Sequence, residues 1–343
     1  MKKLLSLALA LIMVLSLSVA VAAEEHTDME TVTISVTYNE TNEDTTSPAE
    51  EFAFTIANDS VTNAASGVTK ENMPTPTVGS VMYAAGDAGN AGTMTKNVTI
   101  DLPDNYTSVG IYTYTITPTS GTTAGVTYWT RPIKLVVTVI QDANNRLRVA
   151  AVHTENGYNV TAEDATKSDD IIYTYSAGSL AVKKLVTGNL GDRDKEFNVT
   201  VTFTAPANEK VKSVISYTDG TAKTIETSKW TEKNGSNQAV VTITLKHNET
   251  VTFTNIPYGV TYEVKEADYT SEANGKYDAA KYDFTDTAKK IDTASDTVTI
   301  TNNKNSAVDT GIVLDSLPYV LLIAVAVVGV VIFTARKRSR REY

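Results

Sequence analysis

The chain has 343 residues, with 30 Lys and Arg against 40 Asp and Glu, three His and no Cys. Without cysteine there are no disulfides, thiolate metal sites, iron–sulfur clusters or Cys nucleophiles, and three scattered His (His26, His153, His247) argue against a metal centre or a Ser-His-Asp triad. A net charge of −10 opposes nucleic-acid binding, which neutralises phosphates with Lys and Arg, while abundant Thr, Tyr and Val predict an all-β chain.

Residues 1–23 have the layout of a secretory signal peptide. Lys2 and Lys3 form its basic start, 4–19 its apolar run, and Ala20-Val21-Ala22-Ala23 a small-residue cleavage site. Beyond it the sequence alternates with period two. Tyr112-Thr-Tyr114-Thr-Ile116 is such a run, as are Phe197 to Phe203, Val241-Thr-Ile243-Thr-Leu245 and Val251-Thr-Phe253. Strands with one apolar and one polar face predict antiparallel sandwiches. Residues 63–92, rich in Ala, Gly, Ser and Pro, read as loops with at most one short strand. Ser176-Ala177-Gly178-Ser179 marks a boundary so short that two domains, 24–177 and 178–305, would stack with limited freedom.

Three strands of the second domain aim polar groups inward. Lys184 shares parity with Leu180, Val182 and Val186; Glu266 shares it with Tyr262 and Val264; Asn302 shares it with Val298 and Ile300. A buried charge needs a partner, and burial favours the neutral amine and the protonated acid. One reaction uses this set: the Lys184 amine attacks the Asn302 side-chain carbonyl, Glu266 hydrogen-bonds that carbonyl and relays protons, and ammonia leaves. The alternative reading places the three at strand ends, with Lys184 snorkelling and Asn302 capping a turn. Lys183 and Asn303, one register away, are fallback partners with outward parity.

At the far end, 317–335 is long and apolar enough to span a membrane, and Arg336, Lys337, Arg338, Arg340 and Arg341 follow it. Asp309-Thr310-Gly311 precedes the span, so 306–343 resembles a Gram-positive sortase sorting signal, cut between Thr310 and Gly311. The sequence Ala307-Val308-Asp309-Thr310-Gly311 lacks the proline of family signals. Removing both ends leaves 23 basic and 38 acidic residues, a net of −15, a soluble and self-repelling exterior.

Leu180-Ala-Val-Lys-Lys-Leu-Val-Thr-Gly-Asn189, Phe253-Thr-Asn-Ile-Pro-Tyr-Gly-Val-Thr-Tyr-Glu-Val-Lys-Glu266 and Thr299-Ile-Thr-Asn-Asn-Lys304 resemble the isopeptide-forming second domain of Gram-positive backbone pilins. The resemblance runs from the signal peptide to the basic tail. It implies two tandem immunoglobulin-like, Cna-B-type sandwiches, with Lys184 and Asn302 cross-linked and Glu266 catalytic. In the first domain the family's lysine, glutamate and asparagine fall on Val36, Pro118 and Tyr175, so no such bond is expected there. The family also uses a lysine before the last strand of the first domain as acceptor of the next subunit's Thr; Lys167 occupies that place, with Lys70, Lys210 and Lys212 as other candidates. The expectation is a structural pilus subunit, not an enzyme, needing no cofactor or metal. Its partners are a sortase, further pilin subunits, peptidoglycan and host surface ligands. The alternative is an unpolymerised wall-anchored adhesin or pilus-tip protein.

Overall fold

The computed structural model describes residues 28–88, 93–156, 170–306 and 317–339. The signal segment lies outside these residues. The first half contributes β1 (Thr31–Glu40), β2 (Glu50–Phe52), β3 (Phe54–Thr62), β4 (Thr77–Val78), β5 (Val81–Tyr83), β6 (Thr93–Asp101), β7 (Gly110–Pro118), β8 (Val126–Thr127), β9 (Ile133–Gln141), β10 (Leu147–Asn156) and β11 (Asp170–Tyr175). The second half contributes β12 (Ala177–Thr187), β13 (Phe197–Thr204), β14 (Ile215–Asp219), β15 (Thr221–Ile225), β16 (Thr231–Lys233), β17 (Ser236–Leu245), β18 (Thr250–Pro257), β19 (Thr261–Glu266), β20 (Lys281–Phe284) and β21 (Ser295–Asn303).

Two sandwiches result. In the first, a sheet ordered β4-β6-β1-β11-β8 faces one ordered β10-β9-β7-β3, and β2 pairs with β5 beside them. In the second, β15-β14-β18-β12-β21-β20 faces β16-β17-β13-β19. Each strand buries alternate residues. Tyr112, Tyr114 and Ile116 of β7 and Phe197, Val199, Val201 and Phe203 of β13 all point inward and are fully buried. Thr occupies many of the intervening positions, where its branched Cβ suits the pleat and its hydroxyl meets water. The first and last strands of each sandwich, β1 with β11 and β12 with β21, lie side by side and parallel. That pairing brings sequence-distant residues together.

The segment 63–92 holds two short strands, β4 and β5, not one at most. Two and three residues are too few to display a period, and β5 is recruited by β2, thirty positions earlier, to bury Val81 and Tyr83.

Only Ser176 separates β11 from β12, and the joint is tied by loops from both sides. The Asn42 amide donates to the Ala177 carbonyl (2.6 Å) and the Tyr258 hydroxyl (2.7 Å). Asn255 accepts from the Thr46 N–H and donates to the Thr46 and Val214 carbonyls, each at 3.0 Å. Ala124 of the first half is wholly buried in the second core. Buried Glu50 accepts from Thr123 (2.7 Å), Tyr128 (2.9 Å) and, across the joint, Lys212 (2.9 Å). Gly125 lies here at φ 79°, and a Cβ on it would meet the Ser176 carbonyl at 2.6 Å, which glycine alone avoids.

Among the described residues one α-helix follows the sandwiches, α1 (Leu317–Ser339), whose apolar side chains from Tyr319 to Phe333 touch no protein core. A helix apolar all round and unburied is the form of a bilayer span.

Candidate functional site

Lys184, Glu266 and Asn302 meet at one end of the second sandwich. Lys184 is wholly buried, one of the largest such side chains in the molecule; Asn302 is 1 % exposed and Glu266 6 %. The register explains the meeting. β12 and β21 are adjacent, with Lys184 opposite Ile300 and Val186 opposite Asn302, so the lysine and asparagine project from neighbouring strands into the interior. Glu266 ends β19 on the facing sheet, opposite Val199 of β13. Its carboxyl bridges the other two: Lys184 Nζ lies 2.8 Å from Oε1, and Asn302 Nδ2 donates to Oε2 at 2.7 Å.

The surroundings are apolar. Lys184 Nζ stands 4.3 Å above the Phe197 ring, which Tyr269 and Tyr277 approach edge-on at 4.8 and 5.4 Å. Burial holds the Lys184 amine below the usual lysine range, and the adjoining Glu266 opposes that shift without cancelling it. Although Nζ and Oε1 are close, they are not aligned as a hydrogen bond, and Asn302 Oδ1 has no partner either. Three buried polar atoms without hydrogen bonds at one spot are costly. An amine with depressed basicity, an amide, and a carboxyl touching both can perform acyl transfer within the chain.

One detail differs from the sequence-based expectation. Glu266 faces the amide nitrogen of Asn302, not its carbonyl. Lys183 and Asn303 sit on the outer face. Asn303 is engaged there with Asp278 (2.8 Å) and Thr187 (3.0 Å), away from Lys184.

In the first sandwich Val36, Pro118 and Tyr175 are all buried. The register refines their relation. Asn302 lies two residues beyond the partner of Lys184, whereas the residue two beyond the partner of Val36 is Tyr173, not Tyr175. Aromatic packing fills this place: Tyr173 stacks on Phe52 at 3.7 Å, and Tyr38 and Tyr83 meet Phe52 edge-on at 5.2 and 5.6 Å.

Lys167, Thr310 and Gly311 lie outside the described residues. Among the other lysines, Lys70 is exposed, Lys210 is tied through its backbone to Thr122 and Ala124, and Lys212 is held by Glu50. Among the described residues no cluster of three or more His, Asp or Glu could hold a metal. Sequence parity alone did not reveal the Glu50–Lys212 tie, the buried Asp296 or the contact of His247 with β12. Glu50 is legible only as an acid flanking the apolar Phe52, and its partners lie 73, 78 and 162 positions away.

Comparison with known proteins bears on the fold and the family. Residues 25–174 match the family described as Spy0128-like isopeptide containing domain, and 178–305 match a domain of unknown function, DUF7601. A pilin of Streptococcus pyogenes serotype M1 is 30 % identical over 312 residues, covering 85 % of this chain and 86 % of its own. The crystal structure of the major pilin from Streptococcus pyogenes superposes with a TM-score of 0.51 at 25 % identity, over 82 % of this chain and all of that one. A point variant of that pilin, at 24 % identity and TM-score 0.51, shows the same fold. Tandem all-β sandwiches followed by an apolar helix, with these relatives, define a structural subunit of surface pili. The chain belongs to the pilin family represented by the Streptococcus pyogenes protein.

Proposed function

We propose that this pilin is polymerised by a sortase, finally linked to peptidoglycan, and stiffened by an amide between Lys184 and Asn302. The buried contact of Lys184, Glu266 and Asn302 carries the reading. In the step, neutral Nζ attacks Cγ of Asn302 and the Cγ–Nδ2 bond breaks. Glu266 takes a proton from the amine on one oxygen and delivers one to the departing nitrogen from the other, so ammonia leaves and the carboxyl is unchanged. The reaction happens once per chain and is not turnover, which agrees with relatives that are structural proteins.

Domain limits of 24–177 and 178–305 follow the single-residue joint at Ser176. The sorting segment 306–343 holds the chain at the membrane until the sortase cuts between Thr310 and Gly311 and passes the Thr310 carbonyl to Lys167 of another subunit. Of the alternative acceptors, Lys212 is engaged by Glu50 and Lys210 lies in the joint, which leaves Lys167 and exposed Lys70. Display on a Gram-positive wall, with contact to host ligands, follows from this assembly.

A boiled gel of wall extracts tests polymerisation. A covalent ladder is expected, reduced by Lys167→Ala to a wall-linked monomer. A single band from the unaltered strain would instead make the protein an unpolymerised adhesin, and an intact ladder from Lys167→Ala would move the acceptor to Lys70.

A further inference from the structure

Strand β12 is paired on both sides for most of its length, but its pairing with β18 stops at Lys183 opposite Thr250. The reactive end of the strand lies beyond that point. There the turn Lys246-His247-Asn248-Glu249, joining β17 to β18, replaces the missing strand. The Lys184 N–H donates to the Glu249 carbonyl at 3.0 Å, and the Asn248 N–H donates to the Lys184 carbonyl at 2.8 Å. One step further on, no backbone acceptor is left, and the Val186 N–H donates to His247 Nδ1 at 2.9 Å. The turn is itself fixed. The Glu249 N–H closes it on the Lys246 carbonyl at 3.1 Å, and Asn248 adopts φ 66°. On its other edge Val186 is the residue opposite Asn302. Its side chain is 1 % exposed and packs with Phe197 and Tyr277, the rings around the Lys184 amine.

We propose that His247 is a positioning residue for the Lys184–Asn302 linkage, its Nδ1 fixing the end of β12 that sets the approach of the lysine to the asparagine. The inference rests on the isopeptide reading above. His247 touches neither reacting atom. It supplies the acceptor that β18 no longer offers, so that the backbone between Lys184 and Val186 stays flat against β21. Attack by an amine on an amide demands a near-attack approach, and a misplacement of about 1 Å costs on the order of 100-fold in rate. The requirement is for an acceptor three bonds from Cα. Asn places its Oδ1 there, and Ala places nothing.

The test uses the whole ectodomain, freshly synthesised, with intact mass followed over time. The unaltered protein should become about 17 Da lighter through loss of one ammonia. His247→Ala should do so at least about tenfold more slowly, and His247→Asn at close to the unaltered rate. A melting curve in the Glu266→Ala background, where no bond forms, should shift little when His247→Ala is added. Equal rates for all three proteins would overturn the proposal, as would equal slowing of the Ala and Asn variants. Collapse of the Glu266→Ala, His247→Ala double variant would assign His247 to folding at large and overturn it too. Full mass in the unaltered protein would remove the linkage itself and defeat both readings, which separates that failure from the others.

Discussion

Single residues in the second sandwich divide by what their burial costs. Lys184, Glu266 and Asn302 are buried in contact with one another, whereas Asp296 is buried apart from them, beside Tyr262. Asp296 is 4 % exposed on β21, its Oδ1 accepts weakly from Thr293 at 3.3 Å, and its carboxyl interacts with the buried Tyr262 hydroxyl on the facing sheet without the alignment of a full hydrogen bond. Burial, with Asp286 and Asp292 nearby, raises the Asp296 carboxyl above the usual range. The folded state therefore binds this proton more tightly than the unfolded chain, whose Asp titrates near about 3.9. Its contribution to stability is complete below that value and is lost as pH rises through the raised one. Asp296→Asn should remove that dependence and stabilise the second sandwich at neutral pH. Thermal melts of both proteins from pH 4 to 8 check this, and parallel curves would contradict it. Parity exposed the inward Lys, Glu and Asn because each interrupts an apolar row. Asp296 escaped because it is the second residue of its strand, where an acid reads as a turn residue.

Among elements, the strands and the short boundary were legible, and the contacts that tie the joint were not. Alternation marked β7, β13, β17 and β18 because each has one buried and one wet face, and Thr at the wet positions kept the rhythm visible. The two-residue β4 and three-residue β5 carry no rhythm and exist through their partners. The joint depends on loops meeting across the boundary, and no local pattern encodes such contacts. Glu50 is its centre, with a side chain 4 % exposed against 44 % for Lys212. Removing the acid strands the Thr123 and Tyr128 hydroxyls, so Glu50→Ala should cost about 1–3 kcal/mol. Lys212→Ala removes only a half-exposed, solvent-screened partner and should cost well under about 1 kcal/mol. Calorimetry of the two variants checks the contrast, and equal losses would contradict the account of the joint.

For the whole molecule, the proposed linkages define a path for tension. On the proposed linkages, force entering at Lys167 would run through β11, Ser176 and β12 to Lys184, cross to Asn302, and leave through Thr310. Residues 24–166 lie outside that path, and so do the residues between 184 and 302 once the bond has formed. On that path a cross-link in the first sandwich would carry no load, and aromatic packing around Phe52 and Tyr173 fills its place. The proposed bond in the second sandwich would close a loop between residues 118 positions apart (302 − 184). The chain-entropy model gives such closure roughly 5 kcal/mol. In a chain without cysteine it would be a staple that no reductant opens. The measurement that bears most directly on this account is the intact mass of the mature ectodomain with peptide mapping. The account predicts a mass about 17 Da below the sequence value, one ammonia and not two, with Lys184 and Asn302 in one branched peptide and full mass restored by Glu266→Ala. An ectodomain at its sequence mass, with Lys184 recovered as a free tryptic site, would contradict it.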